Sequence, residues 1–184
     1  MVQKWDNIDF EVILRLLKSE IHLRELSKEI KVPHSTLARR LAFLRNKLVI
    51  DYRVEGKNYI YFLRKNMIAL KAAINAENYK FIKTVEKYKL LLSVFEQVVN
   101  TSGCSLIILF GSYAKGIPKE ESDIDIYIET QDKKIKERIE NLYPNLSIKI
   151  GIFDKEDLLI KEIIKNHVII RGAEIYYEKF GFFK

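Results

Sequence analysis

Apolar residues recur along this chain in two rhythms, first every three or four positions and later every second position. Ile8, Phe10, Val12, Ile13, Leu16 and Leu17 fit a helix with one inward face. A short second helix is predicted from Leu23 to Ile30, with Leu23, Leu26 and Ile30 on one side. KVPHS then breaks the pattern at Pro33 and places Ser35 as the N-cap of a third helix. That helix turns Leu37, Leu41, Leu44 and Leu48 inward, and its opposite side is expected to show Thr36, Arg39, Arg40 and Asn46. Residues 49–54 and 59–63 are β-rich and flank EGKN, which predicts a hairpin. Residues 66–100 contain no proline or glycine and read as one long helix or two that nearly abut. SLIILF, at 105–110, suits a buried strand. DIDIYIE then alternates, with Asp123, Asp125, Tyr127 and Glu129 on one face and Ile124, Ile126 and Ile128 on the other. LSIKIGIF, 146–153, is the next strand. The tail from 154 reads as a helix closed by a turn at Gly172 and then a short strand.

The front of the chain orders these elements as short helix, turn, amphipathic helix and hairpin. It resembles the winged helix-turn-helix modules of archaeal and bacterial regulators. The resemblance implies a third helix that enters the major groove of double-stranded DNA and a wing on the sugar–phosphate backbone. Ser35, Thr36, Arg39, Arg40, Lys57 and Asn58 are the candidate DNA-binding residues. Such modules also dock proteins, and the arginines are equally the ordinary charges of a solvated face. His34 is read as a polar turn residue, because no His or Cys partner stands at metal-ligand spacing.

The back of the chain poses a sharper question, since FGSYAKGIPKEESDIDI sets two aspartates side by side at the start of a strand. Like charges so placed repel unless a cation lies between them. A Gly–Ser turn lets phosphate oxygens approach the backbone, and a carboxylate pair can share a divalent ion, so the two features together suit Mg²⁺ (or Mn²⁺) with a nucleoside triphosphate. The spacing Gly111–Ser112 to Asp123–Ile124–Asp125 resembles the DNA polymerase beta-like nucleotidyltransferase superfamily, most closely its minimal archaeal and bacterial members, over roughly residues 92–180. That resemblance implies triphosphate binding by Gly111 and Ser112, with Lys115 and Ser122 as further nucleotide contacts. It also implies metal binding and catalysis by Asp123 and Asp125. Some members of this family are antitoxins that modify a HEPN-type toxin, which makes a protein acceptor an expectation to test.

One departure stands out. Active members usually place a third carboxylate on the next strand, yet the only charged residue of LSIKIGIF is Lys149; Asp154 lies at its end and Glu129 far along the preceding strand. Two functions therefore stay open. One is Mg²⁺-dependent nucleotidyl transfer with a DNA-binding winged helix; the other is a transcription regulator whose back domain binds nucleotide without turning it over.

Charge divides the chain the same way. Residues 1–66 hold 14 Lys/Arg against 8 Asp/Glu, whereas residues 101–184 hold 13 against 14. A basic front module fits a polyanionic partner. The single Cys104 excludes an internal disulfide framework and reads as a small core residue, and the start lacks the basic-then-apolar pattern of a signal peptide. No run of about 18 apolar residues occurs, so a cytoplasmic protein without a membrane partner is expected. His167 and Arg171 read as helix-end and surface residues, and the aromatic ending as packing. Leu70, Ile74, Phe81, Ile82 and Val85 would line the seam of a homodimer or simply fill a core. The expected architecture is α+β in two domains: a winged helix-turn-helix at 1–66, a helical connector at 67–91, and a small α/β nucleotidyltransferase-like mixed sheet at 92–184.

Overall fold

A computed structural model describes residues 4–183. They form two units, a front unit that runs through Tyr79 and takes in the last residues from Gly181, and a back unit, Lys80–Phe180.

In the front unit, α1 (Asn7–Leu16) starts with a capping box: Asp6 accepts from the Ile8 amide while Asp9 accepts from the Asp6 amide. β1 (Ile21–His22), α2 (Leu23–Ile30) and α3 (His34–Asn46) follow, then the hairpin β2 (Ile50–Glu55) and β3 (Asn58–Leu63). The sheet order is β1-β3-β2, antiparallel throughout. Gly56, at φ +60, opens the two-residue turn of the hairpin, the position that favours glycine in a turn matched to strand twist. Val12, Ile13, Leu16, Leu26, Leu37, Leu41 and Leu44 are fully buried and make the core. This is a winged helix-turn-helix. Two details depart from expectation. The third helix begins at His34 after Pro33, so Ser35 lies inside its first turn rather than at its cap. Arg40 is 6% exposed and turned inward, where it pairs with the fully buried Asp9.

The 67–100 stretch is two helices, α4 (Met67–Lys87) and α5 (Leu90–Ser102). The units part inside α4, between Tyr79 and Lys80, where the sequence suggests a separate connector at 67–91. Ala69, Ala72, Ala73, Ile74 and Ala76 are buried early in α4, whereas Phe81 and Val85 pack on the core of the back unit. Of the residues proposed for a dimer seam, Ile82 is the exposed one, at 55%.

The back unit contains β4 (Ile107–Leu109), α6 (Gly111–Lys115), β5 (Ile124–Glu129), α7 (Lys133–Glu140), β6 (Leu146–Gly151), α8 (Leu158–Lys165), β7 (Val168–Arg171) and α9 (Ala173–Phe180). Its sheet runs β6-β5-β4-β7, with β4 antiparallel to both neighbours and β5 parallel to β6. Ile124, Ile126 and Ile128 point to a core shared with Leu91, Val94, Phe95 and Val98 of α5, as the alternation predicts. On the other face Tyr127 is 1% exposed, its hydroxyl donating to the Gly151 carbonyl at 3.0 Å, and Phe153 and Tyr176 continue the packing. The tail reverses the expected order, because the strand VIIR precedes Gly172 and a helix follows it. Gly172 has φ +88, and a Cβ there would overlap the Ser105 carbonyl, so the chain turns where only glycine fits.

Candidate active site

The site forms where β4 ends beside the start of β5. Leu109 pairs with Ile126, and the Phe110 amide donates to the Asp125 carbonyl at 2.9 Å, which carries the chain past Asp125 before it turns. Gly111 makes that turn at φ +69 and opens α6. A Cβ on Gly111 would fall on the Asp125 carboxylate. The glycine is therefore required twice, by its backbone angle and by the side chain it faces. Asp123 is exposed just ahead of β5 and Asp125 is half-buried, two residues on along the same face.

Burial pushes the Asp125 carboxyl above its ordinary range, and the charges of Asp123 and Glu162 push the same way. A Ser147 hydrogen bond and the Lys149 ammonium partly oppose them. Asp125 thus sits where its negative charge lacks full compensation. Among the described residues no group of three or more His, Cys, Asp or Glu gathers into a metal cage. Two carboxylates beside a glycine turn are instead the donor set that suits Mg²⁺, a hard ion completed by phosphate oxygens and water. The residues present fit that ion.

The remaining predicted residues are placed as follows. Lys115, on α6, ion-pairs with Glu162 of α8 at 2.9 Å. The Ser122 hydroxyl accepts from the Lys119 amide at 2.8 Å and closes the loop ahead of Asp123. On β6, Ser147 stands opposite Asp125 and Lys149 opposite Tyr127, so no carboxylate of that strand faces the site. Glu129 accepts from the Phe153 amide and pairs with Lys179, and Asp154 accepts from the Glu156 amide. His167 is buried, with Nδ1 at 2.9 Å from the Ile163 carbonyl. Two participants escape a reading of the sequence, Ser147 and Glu162. Ser147 follows from the parallel register of β5 and β6, and Glu162 from the packing of α8, neither of which a local motif announces. The α4–α5 junction supports α6 through Lys87, which donates to the Gly116 carbonyl at 3.1 Å, and through the edge-to-face pair Tyr88–Tyr113.

The front unit separates the candidate DNA-binding residues. Ser35 and Arg39 are exposed on α3 and Thr36 is half-buried. Arg40 is excluded from that surface, because its guanidinium donates to Asp9 and to the Lys4 carbonyl. Arg45 pairs with Asp51 at 3.6 Å and stacks on Tyr52. Lys57 and Asn58, at the wing turn, share a cleft of about 430 Å³ with His22, Arg24, Lys28 and His34. Arg24 and Lys28 are basic residues of this cleft that the motif does not single out.

Residues 94–179 match the family described as Polymerase beta, Nucleotidyltransferase. Two proteins of Methanocaldococcus jannaschii are similar to this chain. One, named "Putative protein adenylyltransferase MJ0128", is 34% identical over 94 residues, which is 50% of this chain and 94% of that protein. The other, named "Putative protein adenylyltransferase MJ1379", is 31% identical over 102 residues, with the same two shares. Among solved structures, HlyU from Vibrio cholerae N16961 is 22% identical, over 42% of this chain and 79% of that one, with a TM-score of 0.36. The transcriptional repressor BigR from Xylella fastidiosa is 22% identical, over 42% and 72%, with a TM-score of 0.35.

Proposed function

The chain belongs to the polymerase beta nucleotidyltransferase family, and from that premise we infer that its back unit transfers a nucleoside monophosphate from a nucleoside triphosphate to an acceptor hydroxyl. The observation that carries this reading is the Gly111 turn set directly against the Asp125 carboxylate. It brings a left-handed glycine turn, whose amides can meet phosphate oxygens, against one carboxylate of the Asp123–Asp125 pair. The relatives' names favour adenylyl as the group and a protein as the acceptor; a HEPN-type toxin is one acceptor of that class.

In this reading Asp123 and Asp125 would hold Mg²⁺ or Mn²⁺, which would supply the positive charge that offsets the phosphates. The Gly111 and Ser112 amides and the Ser112 hydroxyl bind the triphosphate, and Lys115 meets its outer oxygens. The acceptor oxygen attacks the α-phosphorus and pyrophosphate leaves. Metal-dependent ATP binding, measured calorimetrically, tests the site: wild type binds, and an Asp123→Asn/Asp125→Asn variant does not. Equal binding by both would refute the assignment.

Lys149 favours a second reading. Its ammonium acts on Asp125 from the strand where a carboxylate was expected, and a fixed cation there would favour holding a nucleotide over turning it over. The protein would then be a nucleotide-responsive regulator. In both readings the front unit binds double-stranded DNA through Ser35, Thr36, Arg39, Lys57 and Asn58, and a homodimer would present two such units to a two-fold site.

A further inference from the structure

A hydroxyl that attacks phosphorus gives up a proton, and a positioned carboxylate is a common acceptor for it. Asp123 and Asp125 are poor candidates for that role once they hold a cation. The other carboxylates of the back unit near the sheet are mostly committed to the backbone. Glu129 accepts from the Phe153 amide, Glu140 from the Ile148 amide, and Asp157 caps α8 by accepting from the Leu159 and Ile160 amides. Glu162 differs. Ile160 and Ile163 anchor α8 inward, and the Glu162 carboxylate lies on its other side against Lys115. Lys115 is the cation of the helix that the Gly–Ser turn opens. The pair is only partly shielded, with side chains 37% and 51% exposed, so it holds weakly and a triphosphate can displace the carboxylate from the lysine. Through that pair the Glu162 carboxylate stands against α6, the helix that starts at Gly111.

The geometry points to Glu162 as the group that takes the acceptor's proton, supplied from α8 where β6 offers only Ser147 and Lys149. The inference rests on the transfer reading above. Triphosphate binding moves Lys115 from Glu162 onto phosphate oxygens and frees the carboxylate. The acceptor O–H proton then passes to a Glu162 oxygen as the bond from the acceptor oxygen to the α-phosphorus forms. The bond between the α-phosphorus and its bridging oxygen breaks, and pyrophosphate departs with the electron pair. Glu162 afterwards returns the proton to water.

The test compares Glu162→Gln and Glu162→Asp with wild type in two measurements: binding of a non-hydrolysable ATP analogue with Mg²⁺, and transfer from α-labelled ATP to the labelled species of the wild-type reaction. Glu162→Gln should bind the analogue as tightly as wild type or a few-fold tighter, since it frees Lys115 and removes a negative charge. Its kcat should fall by about 10²-fold or more at unchanged KM for ATP. Glu162→Asp should recover part of the loss. A Glu162→Gln enzyme that transfers within about threefold of wild type overturns the assignment but leaves the transfer reading standing. Analogue binding weakened as much as in Lys115→Ala also overturns it, because Glu162 would then only position the lysine. Absence of wild-type transfer, with analogue still bound, removes both this assignment and the transfer reading.

Discussion

Gly111 and Asp125 approach so closely that no methyl group fits between the α-carbon of one and the carboxylate of the other. Gly111→Ala must shift the turn or rotate Asp125 away, and it must hold alanine at φ +69. We expect a loss of about 1–3 kcal/mol in stability and loss of nucleotide binding, read by thermal denaturation and ATP titration. Gly172→Ala is the comparison. It meets the Ser105 carbonyl at φ +88, remote in sequence from Asp123 and Asp125, so its folded fraction should bind nucleotide as wild type does.

Asp125 costs the nucleotide-free protein stability. Its carboxyl is raised above the ordinary 3.8, chiefly by burial, so the folded chain holds that proton more tightly than the unfolded chain, and ionisation at neutral pH opposes folding. Asp125→Asn should therefore raise Tm at pH 7. The gain should shrink as pH falls through the raised value and vanish below the ordinary one, where both forms are protonated. With ATP and Mg²⁺ present the order should reverse, since only wild type gains from the ligand.

Arg40 supports the front unit from inside. Arg40→Met leaves Asp9 buried without its partner, which should cost about 3–5 kcal/mol. The double variant Asp9→Leu/Arg40→Met should recover most of that loss. Urea unfolding of the three proteins checks both statements.

Arg39 and Lys57 belong to the opposite class, exposed and on the surface proposed to meet DNA. Arg39→Ala and Lys57→Ala should leave Tm within about 1 °C, because surface changes of this kind are energetically small. Each should weaken duplex binding. Each should also reduce the slope of log K against log salt by about 1 for every phosphate it no longer neutralises.

The parts of the site that the sequence announces are those fixed by local rules. A glycine is needed where the chain turns at positive φ against a side chain, and alternation decides that Asp123 and Asp125 share a face. What stays hidden depends on long-range placement. Arg40 and Arg39 are neighbours on one helix, and the difference between them is Asp9, 31 positions away in sequence. Ser147 reaches Asp125 through the register of two parallel strands, which no single segment sets. The continuous apolar pattern of α4 gives no mark at Tyr79, because the same helix serves a different core on each side of that point. VIIR passes in sequence for the end of a helix, since a short apolar run after a helix lacks a period of its own.

The most direct test of the account is incubation of the protein with α-labelled or γ-labelled ATP and Mg²⁺, in the presence of source-cell lysate, with the Asp123→Asn/Asp125→Asn variant alongside. Transfer of a nucleoside monophosphate predicts stable label from the α position only, absent from the variant, on a protein acceptor. No α-label on any macromolecule, while wild type still binds ATP in a metal-dependent way, would contradict transfer and leave a nucleotide-responsive regulator.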